Sequence, residues 1–256
     1  MSSRRRFLRG VGGVAAVGTL LGGAAHLDVG FVRTKLGGGF GGSLDLDSPN
    51  AEEFVPPAEF ADYADRMGEQ YGDASLPWRE PESLTGEFVG TYARQADVVP
   101  SERFGVHDAA VLVHRLDDGP DGGEGRDDAR YRLRLWSAGR LLGRAYEVDP
   151  WGVYRERPGF TWLEHEVEVE RDDQLSADRA LSTNGGRLVV AGARVTVPRG
   201  SYETGLEGGT AYRSRWEGFH RGEIPLVGSC ELSFPDGERR RLDWSLSNGI
   251  GIRTPF

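Results

Sequence analysis

The chain has 256 residues, 40 acidic against 31 basic, a net charge of −9 and 38 glycines, about twice the ~7% glycine of an average domain. Its 38% hydrophobic content is enough for a core and too apolar for a wholly disordered chain. The acidic surplus argues against nucleic acid and anionic lipid as partners, since both select clustered positive charge, and a lone cysteine, Cys230, excludes an internal disulfide and a cysteine-built zinc or iron–sulfur centre.

Residues 3–9 read SRRRFLR, and a glycine-rich, mildly apolar stretch follows over 10–25, with small residues at Ala24 and Ala25. A basic head, a weak apolar segment and a small-residue end have the order of an export signal. The pattern resembles the twin-arginine signal, on Arg4, Arg5, Phe7 and Leu8, and is confined to the first tenth of the chain. The resemblance implies the twin-arginine translocase as partner during export and an extracellular or cell-surface location. The apolar stretch falls short of the ~20 strongly apolar residues of a membrane span, so cleavage near Ala25 is expected and no stable span thereafter. Cleavage there removes Arg4, Arg5, Arg6 and Arg9 and no acid, which deepens the negative charge.

Residues 26–56 contain LGGGFGGS over 36–43, a composition that does not repay its ordering entropy, and are expected to form a flexible linker. A single β-rich domain is expected over 57–256. It opens with Pro56 and Pro57 and a helix over 57–71, where Phe60, Tyr63, Ala64, Met67 and Tyr71 recur at spacings of three and four.

Beyond Pro81 the pattern changes to short strands separated by Gly, Pro and Asp: 87–93, 110–116, 130–137, 141–148, 161–170, 187–197, 210–217, 226–234 and 239–246. About nine strands with almost no helix between them predict a mainly β fold with antiparallel neighbours, either a barrel or a two-sheet sandwich, with one N-terminal helix. Residues 137–140 (SAGR) are expected to turn one strand back on the next, and Pro235-Asp-Gly237 is a tight-turn signal. The acidic loop 117–128 lacks the regular oxygen-ligand spacing of a calcium site.

The densest constellation is WLEHEVEVE over 162–170. On a strand, Leu163, His165, Val167 and Val169 share one face, while Trp162, Glu164, Glu166, Glu168 and Glu170 share the other. The carboxylate row needs salt or facing cations, which the alternating Arg132 and Arg134 are expected to supply from a neighbouring strand. The inward-facing His165 is the candidate for contact with a small apolar ligand enclosed by a lipocalin-like barrel. The remaining histidines show no ligand spacing, so no metal and no cofactor are expected. No serine nucleophile elbow, phosphate loop or dinucleotide fingerprint is present.

Two further resemblances bear on function. Of the 31 basic residues only Lys35 is a lysine, and this deficit, with the acidic surplus, resembles proteins of extreme halophiles. The carboxylate row also resembles the catalytic strand of laminarinase-type retaining glycosidases, although a glutamate stands where that family has its central aspartate. That resemblance implies Glu164, Glu166 and Glu168 as catalytic carboxylates of a carbohydrate-active hydrolase, the rival to a noncatalytic binding or surface-interaction protein. A purely structural cell-surface domain is the third reading.

Overall fold

The computed structural model describes residues 30–50, 52–80, 86–98, 105–116, 128–142, 158–177 and 180–255, with backbone alone for 30–36 and 252–255. The expected export signal, most of the loop 117–128 and most of the expected strand 141–148 lie outside the described residues. Apart from Gly30, Phe31 and Pro255, the described residues belong to one body, Val32–Thr254.

In chain order the strands are β1 (Gly30–Asp45), β2 (Phe54–Val55), β3 (Glu87–Asp97), β4 (Gly105–Arg115), β5 (Ala129–Leu141), β6 (Pro158–Glu168) and β7 (Leu175–Ser176). They continue with β8 (Leu181–Thr183), β9 (Gly186–Val190), β10 (Ala193–Val197), β11 (Gly200–Glu207), β12 (Ala211–His220), β13 (Ile224–Phe234) and β14 (Arg241–Pro255). The helix α1 (Phe60–Tyr71) follows a 3-10 turn, Pro57–Glu59. Its five apolar positions, Phe60, Tyr63, Ala64, Met67 and Tyr71, are all buried, as their spacing predicts.

The fold is mainly β. Two six-stranded sheets form, the first in the order β1-β14-β6-β12-β11-β8 and the second in the order β2-β3-β4-β5-β13-β7, and β9 and β10 make a separate hairpin. The defined registers are all antiparallel. Among the described residues neither sheet closes on itself, so the arrangement is sandwich-like and not a closed barrel. Between the sheets Val111, Leu133, Leu135 and Cys230 of the second pack against Val167, Tyr212, Trp244 and Leu246 of the first.

The second sheet is buried on both faces through β4 and the middle of β5, while Arg130, Arg132 and Glu231 toward one end stay partly exposed. Ten of the eleven residues of β4 are buried, because α1, the segment Ala74–Trp78 and the β9-β10 hairpin cover its outer side. Phe60, Tyr71, Leu76, Val190 and Val195 join Leu112, Trp136 and Ala138 in that outer core.

Several sequence expectations are corrected. Residues 36–43 belong to the long strand β1, beside β14, and not to a flexible tether. Residues 137–140 make no turn, since β5 runs straight through them. A Cβ on Gly139 would lie 2.9 Å from both Leu163 and Phe160, so that glycine admits the opposite sheet. The single strand expected over 187–197 is a hairpin, turned at Ala191 (φ 47°) and Gly192 (φ 80°). The turn at Pro235 forms, with Glu238 N–H donating to Pro235 O at 3.1 Å, but it carries the chain from one sheet to the other.

Candidate functional site

The carboxylate row lies on the outer face of the first sheet. In register, Glu164 stands between Arg215 of β12 and Ser247 of β14, Glu166 between Arg213 and Ser245, and Glu168 between Ala211 and Asp243. The inward set is equally regular, since Leu163, His165 and Val167 are fully buried. Period-2 alternation therefore sorts this strand as the sequence predicts.

The cations that relieve the row are Arg213 and Arg215, not Arg132 and Arg134. The Arg213 guanidinium donates to Glu166 Oε2 at 2.8 Å and lies 3.6 Å from Glu164 and 2.5 Å from Glu207. Arg215 donates to Glu164 Oε2 at 2.9 Å and also pairs with Glu217. Arg132 and Arg134 sit on the other sheet, where Arg132 pairs with Glu231 and Arg134 donates to the Ala191 carbonyl. Both Arg-x-Arg segments have the right alternation, and strand order alone decides between them.

Electrostatics follow from partial burial. Burial raises the Glu166 pKa, Arg213 only partly offsets this, and Glu164 and Glu168 add to it. Burial alone would lower Arg213, but Glu164, Glu166 and Glu207 outweigh that effect and raise it. A depression of about 240 Å³ lined by Ser201, Glu203, Arg213, Arg215 and Glu217 lies beside this ladder. Double-displacement glycoside cleavage needs one free carboxylate and one protonated acid about 5–5.5 Å apart. Here Glu164 and Glu166 are both held in guanidinium ion pairs, whereas Glu168, the third of the row, is exposed and forms no ion pair among the described residues.

His165 is fully buried between the sheets, opposite Ser214 and Leu246 in register, with its ring 5.8 Å from that of Trp244. His107 of β4 is also fully buried. Among the described residues, neither imidazole, nor the Ser137 hydroxyl, nor the Asn248 amide has a hydrogen-bond partner. Burial lowers the pKa of each histidine to about 3, with His107 adding to the effect on His165. The surroundings of His165 are thus polar as well as apolar. Cys230 is buried on β13, which raises its thiol pKa.

A different polar cluster sits beneath α1. Tyr71, Gln70 and Gln95 donate to the Asp108 carboxylate at 2.5, 2.7 and 3.0 Å. Burial still raises the Asp108 pKa despite these donors. The cluster ties the helix to β3 and β4, and nothing in its sequence spacing announces it.

Among the described residues, no group of three or more His, Cys, Asp and Glu side chains is placed to hold a metal ion, and no helix is long and apolar enough to cross a membrane. No protein-family model, curated protein or solved structure matches the chain.

Proposed function

We propose that the chain is an exported, noncatalytic interaction domain that meets its partner through the open outer face of the first sheet. The observation that carries this reading is the asymmetry of the layers. A helix and a hairpin bury the outer side of the second sheet, whereas the outer residues of β6, β11, β12 and β14 remain half-buried or exposed. Glutamates already paired with guanidinium groups favour recognition over hydrolysis. Arg4, Arg5, Phe7 and Leu8 support export by the twin-arginine route, and the acidic, lysine-poor composition supports life in concentrated salt. The polar side chains around His165 weigh against an apolar guest in the interior.

The test is binding of the labelled full chain to the cell envelope of its own host, compared with the Arg213→Glu/Arg215→Glu variant. Saturable binding is expected, lost in the variant while it remains folded, at a melting temperature lowered by the unrelieved carboxylates. Absence of binding leaves a structural surface domain. Turnover of a soluble β-glucan that disappears with Glu166→Gln would overturn the noncatalytic reading in favour of the hydrolase.

A further inference from the structure

We propose that one end of this open face is a platform for a neutral saccharide, stacked on Trp162 and Phe219. The inference rests on the interaction reading above and names its ligand class.

Trp162 lies on the outer face of β6, between Glu217 of β12 and Gly249 of β14 in register. A Cβ on Gly249 would fall 1.8 Å from Cζ3 and 2.1 Å from Cε3 of the indole, and one on Gly37 of β1 would fall 3.1 Å from Cη2. The six-membered ring therefore occupies the space that side chains on two neighbouring strands would otherwise take. Phe219 repeats the arrangement nearby, because a Cβ on Gly159 would meet its ring at 2.7 Å. Both aromatic residues remain half-buried. Glycine removes the side chain beneath each ring, so the rings rest against backbone, and both residues keep part of their surface exposed.

A pyranose offers an apolar C–H face and a rim of hydroxyls. The negative π-face of an aromatic ring attracts the C–H face, and forked guanidinium and carboxylate groups pair with adjacent hydroxyls as donors and acceptors. Those groups adjoin the rings: Glu217 stands opposite Trp162, Arg215 is held to Glu164 and Glu217, and the exposed Arg221 guanidinium lies over the Phe219 ring, 5.5 Å from its centroid, where a sugar would have to displace it. Charge narrows the ligand class. Glu164, Glu166, Glu203, Glu207 and Glu217 outnumber Arg213, Arg215 and Arg221 on this face, and the chain as a whole carries −9, which disfavours uronates and phosphates. An open sheet surface suits a stretch of polysaccharide chain better than it suits a small enclosed ligand.

The experiment is calorimetric titration of the full chain with laminarihexaose, mannohexaose and maltohexaose, with polylysine as a cationic polymer. Saturable binding of at least one hexaose is expected, weakened tenfold or more by Trp162→Ala and less by Trp162→Phe, which keeps a ring. Phe219→Leu is expected to weaken the same hexaose without lowering the melting temperature to the extent that Trp162→Ala does. Hexaose binding untouched by Trp162→Ala in a folded variant overturns the platform. So does polylysine binding, abolished by salt, with no hexaose bound. If no hexaose binds while the host envelope still does, the saccharide inference fails and the interaction reading stands. If the envelope is not bound either, both fail.

Discussion

The two outer faces of the sandwich carry the same alternating Arg-x-Arg pattern; Arg132 pairs with a glutamate as Arg213 and Arg215 do, but Arg134 is put to the opposite use. On the covered face Arg134 is 5% exposed, caps the Ala191 carbonyl of the β9-β10 turn and lies 5.6 Å over the Trp78 ring; burial, with Arg132 adding to it, lowers its pKa to about 10. On the open face Arg213 and Arg215 stay half-exposed and hold Glu164, Glu166, Glu207 and Glu217. Residue type and spacing are the same, and the layer stacked above the strand decides whether a guanidinium serves as internal mortar or as part of a surface. The covered face therefore carries packing that the open face does not.

That contrast breaks most visibly at Trp136, which is fully buried, donates Nε1–H to the Ala74 carbonyl at 3.1 Å and packs edge-on against Tyr71. Trp136→Ala is expected to cost roughly 3–5 kcal/mol in denaturant unfolding, through lost burial and a residual cavity. A cost below 1 kcal/mol would mean that the covering layer contributes little.

Acid separates the interior from both surfaces. His107 and His165 have a pKa of about 3 when folded against 6.5 for an ordinary histidine, so the unfolded chain takes up protons first as the pH falls. Their contribution to stability is complete above pH 6.5 and is lost progressively toward pH 3, at about 2 kcal/mol for each histidine between pH 6.5 and 5. Urea unfolding across that range measures the slope, and replacing both histidines by glutamine should reduce it to the part set by His114, whose pKa burial lowers to about 4.

The finest comparison lies within β6. Val167→Ala, on the inner face, is expected to cost roughly 1–3 kcal/mol. Glu166→Gln, one residue along on the outer face, should change stability by less than about 1 kcal/mol, because half-exposed ion pairs contribute little. Equal costs measured by thermal unfolding would remove the distinction between the faces.

Much of this contrast is legible in the sequence and some of it is not. The 3.6-residue spacing of α1 and the alternation of β6 declare their buried faces, since burial acts on one residue at a time. Glycine carries no such label. Gly139, within an apparent turn signal, is a packing position under the opposite sheet. The glycines of β1 read as a tether, although Gly37 lies under Trp162. At Gly192 the turn is real, but the apolar run on either side hides it. The choice of Arg213 and Arg215 as partners for the carboxylate row depends on β12 lying beside β6, a long-range pairing that local pattern does not encode. The tie between α1 and Asp108 is equally non-local.

The contact at Val227 and Gly228 has a mechanical consequence. Tyr202 and Ser214 of the first sheet both donate to the Val227 carbonyl, and Ser229 N–H donates to Tyr212 Oη at 3.0 Å. A Cβ on Gly228 would stand only 2.6 Å from Ser214 Oγ and from the Tyr212 ring. Side chains of one sheet thus bond directly to the backbone of the other at a close approach of the two, and they act as a dowel against sliding. Pulled along the strands, the sheets would yield only after this peg sheared, so the sandwich should resist force as one block rather than peel layer by layer.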